Sequence, residues 1–365
     1  MKSPFRAEQV GSLLRPDALK KARIGFAQGA LPEAELRALE DQTILDALAH
    51  QRSTGIDVYT DGEMRRSSWL SDMAEAVNGF VADRVDLEWH GPGGGKEAST
   101  AYAGGSKLLK VRKLTAHELP FLKRSAPGPF KITVPSPSNF MIASYKRGVT
   151  DKYYSSRADF LSDIVGILRD EVAWMQSEGA AYIQFDAPYY SFYFDPRQRD
   201  RMKAEGLDPD RELEHAIAAD NAVFHGVSRD RSIFALHICR GNSRSRWYTE
   251  GSYDAIAEKL FGSLDVDAFL LEYDSERSGS FAPLRLVPRT KTVVLGLITT
   301  KESQLESPEV LQRRIDEAAQ YIPLENLAVS TQCGFASTAP GNLLSMDDQW
   351  RKLELVAQTA RKVWK

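Results

Sequence analysis

Short apolar runs alternate with amphipathic stretches along the whole 365-residue chain. Eight runs, rich in β-branched or aromatic residues, lie at residues 6–14, 55–63, 129–137, 180–188, 232–240, 268–274, 292–299 and 327–335. Between them apolar residues recur every three to four positions, which predicts helices; in 157–179, Gly179 is a typical C-terminal stop. Near-continuous apolar strands separated by helices indicate a parallel sheet buried on both faces, and eight units match a closed (β/α)8 TIM barrel of the α/β class. An open doubly wound sheet is the alternative.

The segment from about 87 to 127 interrupts this alternation. It contains the glycine-rich sequence EWHGPGGGKEAST and follows the second predicted strand, so we interpret it as an insertion in a single catalytic barrel that spans residues 1–365. A phosphate-binding loop needs Ser or Thr after Gly-Lys, whereas Glu97 follows Lys96 here. The segment is therefore expected to be a flexible loop or a hairpin tip, with a substrate lid as the functional alternative.

Composition narrows the classes of protein further. The chain has 42% apolar residues, enough for a core, and 47 basic against 50 acidic residues give a net charge of -3. There is no basic run of the kind that binds nucleic acid or lipid, and no stretch approaches the roughly 18 apolar residues needed to span a bilayer. The N-terminus has no apolar signal core, and the two cysteines suit a reducing compartment. We therefore expect a cytoplasmic protein that binds neither nucleic acid nor membrane.

Both cysteines fall at the ends of predicted strands, where a barrel carries its chemistry. Cys239 lies two residues after His237, so both side chains point to one side of a strand. Glu272 lies in the sixth run, where a buried carboxylate needs a partner, and Cys333 closes the eighth run. An imidazole, a carboxylate and two thiolates form a donor set typical of zinc, although each residue alone also fits an ordinary core position. The other histidines fall in helical or loop stretches and are expected to have surface roles: His50, His90, His117, His215 and His225.

Four motifs taken together resemble a known family: VGSLLRP near the N-terminus, then HIC, LLEYD and QCGF. Their order over the whole chain is similar to the catalytic domain of cobalamin-independent methionine synthase, in particular to its short single-barrel members. The resemblance implies a methyltransferase of methionine biosynthesis that moves a methyl group to the zinc-bound thiolate of homocysteine. It implies that the zinc ligands are His237, Cys239, Glu272 and Cys333. Two thiolates and a carboxylate would leave such a site electron-rich, so that the substrate sulfur stays nucleophilic.

The resemblance also implies an amino-acid site. Gly11 and Ser12 match the family's Gly-Ser segment, whose backbone or hydroxyl would hold the substrate carboxylate. Glu63 in DGEMRR and Asp186 in QFDAP match its two acidic positions, which would bind the α-ammonium group as catalytic residues. Without the resemblance, the same two acidic residues also fit a solvated turn and a strand-end cap.

The methyl donor stays open between a methylfolate and a methylcorrinoid protein. The long enzymes of the family use a histidine after the seventh strand, whereas this chain has Lys301 there. After the fourth strand the chain also departs from the family's acidic-proline continuation. Five aromatic residues follow instead, and they would either stack on a flat donor or fill the core or lid: Tyr189, Tyr190, Phe192, Tyr193 and Phe194.

Other functions also stay open. A related group of enzymes transfers an alkyl chain to coenzyme M, whose sulfonate needs cations. Arg240, Arg244 and Arg246 follow the ligand pair, although a solvated loop is the plainer interpretation of them. A zinc-dependent hydrolase is an alternative of another class, but two anionic thiolates make the metal a weak Lewis acid. A zinc-stabilised scaffold is the non-enzymatic alternative, and the sequence leaves open whether the chain forms a homo-oligomer.

Overall fold

The computed structural model describes residues 2–364 and contains, within them, eight strands and eleven α-helices. The strands are β1 (Val77–Trp89), β2 (Gly95–Lys110), β3 (Lys131–Pro135), β4 (Tyr182–Asp186), β5 (Ile233–Ile238), β6 (Ala268–Glu272), β7 (Thr292–Ile298) and β8 (Leu327–Thr331). The helices are α1 (Asp17–Ala27), α2 (Glu33–Thr54), α3 (Ser71–Ala76), α4 (Leu119–Ser125), α5 (Ser138–Ala143), α6 (Arg157–Ser177), α7 (Pro196–Ala204), α8 (Pro209–Val223), α9 (Ala257–Ser263), α10 (Pro308–Ala318) and α11 (Met346–Val363).

The last six strands form most of the barrel wall. Strands β3 to β8 lie in that order in one parallel sheet, and every residue in them is buried. Burial on both faces explains their near-continuous apolar sequences. The inner layer includes small and β-branched side chains such as Val58, Ala235 and Val294, which pack together inside the ring.

Two short segments close the ring where regular first and second strands were expected. Ala7 forms a parallel bridge pair with Val329 of β8, and Tyr59 forms one with Phe130 beside β3. Between the two segments, Asp57 N donates to Ala7 O at 2.9 Å. A longer ladder does not form there because the Asp57 carboxylate accepts from the N–H groups of Ala7 and of the preceding residue, at 2.9 and 2.7 Å. The chain is thus a (β/α)8 barrel, as its sequence predicts, with two of its eight wall positions reduced to bridge pairs.

The helices agree with the amphipathic pattern, most clearly at α6. The Ser156 hydroxyl caps this helix by accepting from Asp159 N at 3.1 Å, and Ile164 and Leu168 lie on its fully buried face. Gly179 follows with a φ of 88°, a conformation that favours glycine, so the predicted stop is confirmed. None of the helices within residues 2–364 is both long enough and apolar enough to cross a membrane.

An antiparallel hairpin of β1 and β2 is inserted before β3. It starts at Val77, upstream of the insertion predicted at 87–127, and turns after Trp89. The sequence RVDLEW alternates apolar and charged residues, which is the period of a strand covered on one face. The turn is fixed to the loop after β5, because His90 N donates to Trp247 O at 2.7 Å and Trp247 N donates to His90 O at 3.2 Å.

Candidate active site

Three potential metal ligands converge at the C-terminal end of the barrel. His237 lies near the end of β5, Cys239 follows that strand directly, and Cys333 lies two residues beyond β8. One ligand atom of each lies within 4.8 Å of the other two, and all three residues are buried. Within residues 2–364, no oxygen or nitrogen atom bonds to the ring nitrogens of His237, and their one hydrogen-bonding neighbour is the sulfur of Cys333. A buried imidazole of this kind lacks the partner that a metal ion would supply.

The two thiols hold their protons differently. The hydrogen bond between them raises the pKa of Cys239 and holds the pKa of Cys333 well below its ordinary value. The Ser337 hydroxyl lies 3.6 Å from the Cys333 sulfur and accepts from Asn242 Nδ2 at 3.0 Å, which leaves its own proton for the sulfur. Cys333 is therefore in a setting that favours the thiolate, the form that binds metals.

Glu272, the fourth predicted ligand, lies at the end of β6 but outside that group of three. Its carboxylate accepts from Arg240 N at 2.8 Å and from Arg277 Nε at 2.9 Å. Burial raises the pKa of Glu272, but Arg277 and Arg240 outweigh burial and hold that pKa below its ordinary value. Glu272 is thus a buried carboxylate compensated by cations, and its role as a metal ligand stays a prediction.

Glu63 reaches the same end of the barrel from a tight turn. Asp61 Oδ1 accepts from Glu63 N at 2.9 Å, and Glu63 has a left-handed φ of 55°, which is uncommon for a residue with a side chain. Its Oε1 accepts from Thr133 Oγ1 at 3.1 Å, while its Oε2 is buried and has no partner in residues 2–364. Burial raises the pKa of Glu63 to about 7, although Arg66, 4.0 Å away, opposes this. One carboxylate oxygen is left for a cationic ligand.

Asp186 ends β4 and pairs in register with His237 of β5. Its Oδ1 accepts from Gln184 Nε2 at 2.8 Å, and burial raises its pKa. The negative charge of Asp186 also contributes to the raised pKa of Glu63. Two buried carboxylates that lie close together repel each other when both are ionised, so a cation between them is favoured.

Gly11 and Ser12 differ in what they contribute. Ser12 lines the cavity at this end of the barrel. A Cβ at Gly334 would lie 2.0 Å from Ser12 Oγ, so the residue after Cys333 has to be small. A Cβ at Gly11 would lie 3.0 Å from Glu63 Oε1. Gly11 therefore provides the space that the Glu63 carboxylate occupies.

One cavity of about 410 Å³ joins these groups, a size typical of small-molecule sites. Its lining includes Ser12, Glu63, Asp186, His237, Cys239 and Cys333. Trp69, Tyr189 and Tyr248 add an aromatic wall, in which the Tyr189 ring centre lies 6.1 Å from that of Trp69 and 6.4 Å from that of Tyr248. The cavity thus combines sulfur, carboxylate and aromatic surfaces.

The hairpin supplies a further wall of the cavity, through Leu87, Trp89 and residues 97–100. Arg246, in the loop after β5, pairs with Glu97 at 2.7 Å. Its guanidinium also lies 5.0 Å from the ring centre of Trp89. The hairpin therefore covers the site and is fastened to the loop that carries Cys239.

The three arginines of the loop after β5 are not equivalent, and the expectation that all are solvated is wrong. Arg240 is completely buried, with its guanidinium 4.8 Å from the Phe194 ring centre and 4.6 Å from that of Tyr253. Arg246 is buried under the hairpin. Arg244 is exposed and lines the cavity.

The aromatic run after β4 divides between cavity and core. Tyr189 lines the cavity. Tyr189 also belongs to the hydrophobic core, as do the other four, which do not line the cavity: Tyr190, Phe192, Tyr193 and Phe194. Core packing thus accounts for most of the run.

Lys301 and His117 lie in supporting networks. Lys301 Nζ donates to Asn242 Oδ1 at 3.0 Å and to two backbone oxygens of the same loop. His117 Nε2 lies 3.3 Å from Asp72 Oδ1 in a cluster whose cation is the buried Arg66, so the expected surface role is wrong for this histidine. His50, His215 and His225 are exposed, which agrees with that expectation. His90 lies in the hairpin turn, where its side chain forms a hydrogen bond with Arg197.

Several residues of the site were not predicted from the sequence. Trp69, Tyr248 and Trp89 come from separate loops and the hairpin, and no local pattern marks them. Gln184 and Lys131 do carry a signal, because each is a long polar residue with an apolar residue on either side in the sequence. Such a residue is costly unless it is bonded.

Comparison with known proteins gives a consistent result. A sequence profile described as the catalytic domain of cobalamin-independent synthase matches residues 5–343. The chain is 38% identical to the uncharacterized protein YxjH of Bacillus subtilis, over 100% of this chain and 96% of that protein. It is 26% identical to the methionine synthase of Thermococcus kodakarensis, over 89% of this chain and 85% of that one. A solved B12-independent methionine synthase from Shewanella sp. W3-18-1 shares the fold, with a TM-score of 0.75 at 19% identity, covering 99% of this chain and 98% of that one.

Proposed function

Because this chain belongs to the cobalamin-independent methionine synthase family through its catalytic domain, we propose that it methylates the sulfur of homocysteine and so forms methionine. The family is one of methyltransferases. We further propose that the enzyme depends on zinc, and that it binds its thiol substrate as an amino acid.

Zinc fits the residues that meet at the barrel end. An imidazole and two sulfurs lie within 4.8 Å of one another, and the imidazole nitrogens have no other partner in the described chain. His237, Cys239 and Cys333 would hold the ion, with Glu272 as the proposed fourth ligand. When bound, zinc would lower the pKa of the substrate thiol, so that the sulfur reacts as a thiolate at neutral pH.

The observation that carries the proposal is one cavity that contains both the sulfur cluster and two buried carboxylates. Homocysteine bears its thiol and its ammonium group on one short carbon chain. A ligand with its sulfur at the cluster can therefore place its ammonium group against Glu63 and Asp186. Glu63 Oε2, which has no partner in residues 2–364, is the acceptor such a group needs. Ser12 lines the same cavity and offers a hydroxyl to the substrate carboxylate.

A thiol that carries a sulfonate fits this cavity less well. Arg244 offers one cation there, whereas Arg240 donates to Gly251 O and Arg246 pairs with Glu97. The two cavity carboxylates would repel a sulfonate. We therefore favour an amino-acid thiol over coenzyme M as the acceptor.

The aromatic wall of Trp69, Tyr189 and Tyr248 suits a flat methyl donor, because ring systems stack on such surfaces. We propose a methylfolate on this ground. Lys301 is not proposed as its proton donor, since its Nζ is engaged by three oxygens of the loop after β5.

Calorimetry with the zinc-loaded protein tests the acceptor. We expect homocysteine to bind at least about tenfold more tightly than 4-mercaptobutanoate, which lacks only the amino group, because a charge-assisted hydrogen bond is lost. Equal affinities, or a preference for coenzyme M, would contradict the amino-acid assignment. Elemental analysis tests the metal: an undiminished zinc content in Cys333→Ser would remove Cys333 from the site.

A further inference from the structure

A charged pair lies inside the barrel, below the cavity. Glu8 and Lys131 are buried, and Lys131 Nζ lies 3.4 Å from Glu8 Oε2. Around them the inner layer is largely apolar, with residues such as Val10 and Val58. A buried ion pair contributes little net stability compared with apolar packing, because both charges lose their hydration. Its presence in the barrel therefore calls for another explanation.

Lys131 also fixes the orientation of one amide. Its Nζ donates to Gln184 Oε1 at 2.9 Å, and an ammonium group has only donors. The amide oxygen of Gln184 must therefore face Lys131, and the amide nitrogen must face the other way. That nitrogen donates to Val10 O at 2.8 Å and to Asp186 Oδ1 at 2.8 Å.

The result is a continuous series of hydrogen bonds from the barrel interior to the site. Glu8 pairs with Lys131, Lys131 donates to Gln184, and Gln184 donates to Asp186. Every polar group of the Gln184 side chain is used, so the amide cannot rotate without losing all three of its bonds. A donor held in this way favours the ionised form of the carboxylate and fixes its direction.

We propose that Gln184, oriented by Lys131 and Glu8, is a positioning residue that holds Asp186 ready for the ammonium group of the substrate. This inference rests on the proposed function, because it assumes that Asp186 binds an amine. Gln184 does not touch the substrate in this proposal. It acts through Asp186 alone, and its loss should therefore affect amine-bearing ligands selectively.

The experiment compares two ligands in two matched variants of the zinc-loaded protein. Gln184→Met keeps the size of the side chain and removes its donor. Gln349→Met makes the same change at another fully buried glutamine, which lies in α11. The side-chain oxygen of Gln349 accepts from Leu14 N at 2.7 Å. Calorimetry gives the dissociation constants of homocysteine and of 4-mercaptobutanoate for each.

We expect Gln184→Met to bind homocysteine about 10- to 100-fold more weakly, the range for one lost hydrogen bond to a charged group. Its affinity for 4-mercaptobutanoate and both affinities of Gln349→Met should stay at the wild-type values. An unchanged homocysteine affinity in Gln184→Met, or an equal loss for both thiols, would overturn the inference. If wild type itself binds the two thiols equally, the proposed function fails first, and the inference fails with it.

A second variant covers the case in which Gln184→Met does not fold. The double variant with Glu8→Gln and Lys131→Met removes both charges together, so that neither is left unpaired, and it retains Gln184. The amide is then free to turn its oxygen towards Asp186. We expect a selective loss of homocysteine affinity here too, and a double variant that discriminates between the thiols as wild type does would refute the role of Lys131.

Discussion

Replacing Glu63 with glutamine should remove a pH-dependent loss of stability and weaken substrate binding together. In the metal-free protein, burial raises the pKa of Glu63 from its ordinary value of 4.5 to about 7. The folded chain then holds this proton more tightly than the unfolded chain does. The stabilising effect of the protonated form is therefore complete below about pH 4.5 and is lost as the pH rises through about 7. The difference between these pKa values corresponds to about 3 kcal/mol, at about 1.4 kcal/mol per pH unit.

The assay is chemical unfolding of wild type and Glu63→Gln at about pH 5 and about pH 8. Glutamine cannot ionise, so the variant lacks this pH dependence. Between the two pH values, the unfolding free energy of wild type should fall relative to that of the variant by up to about 3 kcal/mol. The glutamine amide itself has a cost in unfolding free energy, because Glu63 Oε2, which it replaces in part, has no partner in residues 2–364. That cost is the same at both pH values, so it cancels in the comparison.

The matched control is Glu171→Gln, a fully buried carboxylate outside the cavity. Glu171 accepts from Leu114 N, Thr115 N and Thr115 Oγ1, so this variant should lose stability at both pH values without any effect on thiol binding. Glu63→Gln should instead weaken homocysteine binding selectively. The reasoning is refuted if the stability of wild type relative to Glu63→Gln is the same at both pH values.

Three further predictions concern the residue after Cys333, helix α6 and the hairpin. Gly334→Ala places a Cβ 2.0 Å from Ser12 Oγ and 3.1 Å from Ser12 N. We therefore expect the unfolding free energy to fall by about 1–3 kcal/mol and the zinc content to decrease, and wild-type values of both would contradict this packing. Gly166→Ala, in α6 with nothing within 4 Å of the added Cβ, should instead stabilise the protein by about 0.5–1 kcal/mol. Arg246→Gln removes the ion pair with Glu97 at 2.7 Å, so hydrogen exchange in the hairpin should accelerate. Unchanged exchange would show that the pair does not hold the hairpin in place.

The barrel was predictable because its wall follows simple periodic rules. Six runs became regular strands at the expected places, since parallel strands buried on both faces are continuously apolar. The first two runs gave only bridge pairs. The reason lies in particular side chains: the Asp57 carboxylate takes backbone N–H groups of the first segment, and the Gln51 amide takes Thr60 N and O. Apolar periodicity carries no information about such bonds.

The candidate site was predictable in part for a similar reason. Strand ends lie together in a barrel, so His237, Cys239 and Cys333 could be brought together from their places in the sequence. The pairing of Glu272 with Arg277 could not, because it depends on the direction of a side chain five residues further on. The burial of Arg240 against the rings of Phe194 and Tyr253 was equally hidden, since no local pattern shows that these rings meet its guanidinium.

The strand order brings the two halves of the proposed site within reach of one small substrate. Asp186 of β4 and His237 of β5 are register partners on adjacent strands, so the carboxylate proposed to bind the ammonium group and the imidazole proposed to bind the metal lie side by side. The burial of two carboxylates here has an energetic cost, because it raises the pKa values of both Asp186 and Glu63. A core selected for stability alone would have apolar residues at these positions. Gln184 lowers that cost by donating to Asp186, and Lys131 donates in turn to Gln184, so in the proposed arrangement these polar residues of β3 and β4 support the carboxylate that receives the substrate.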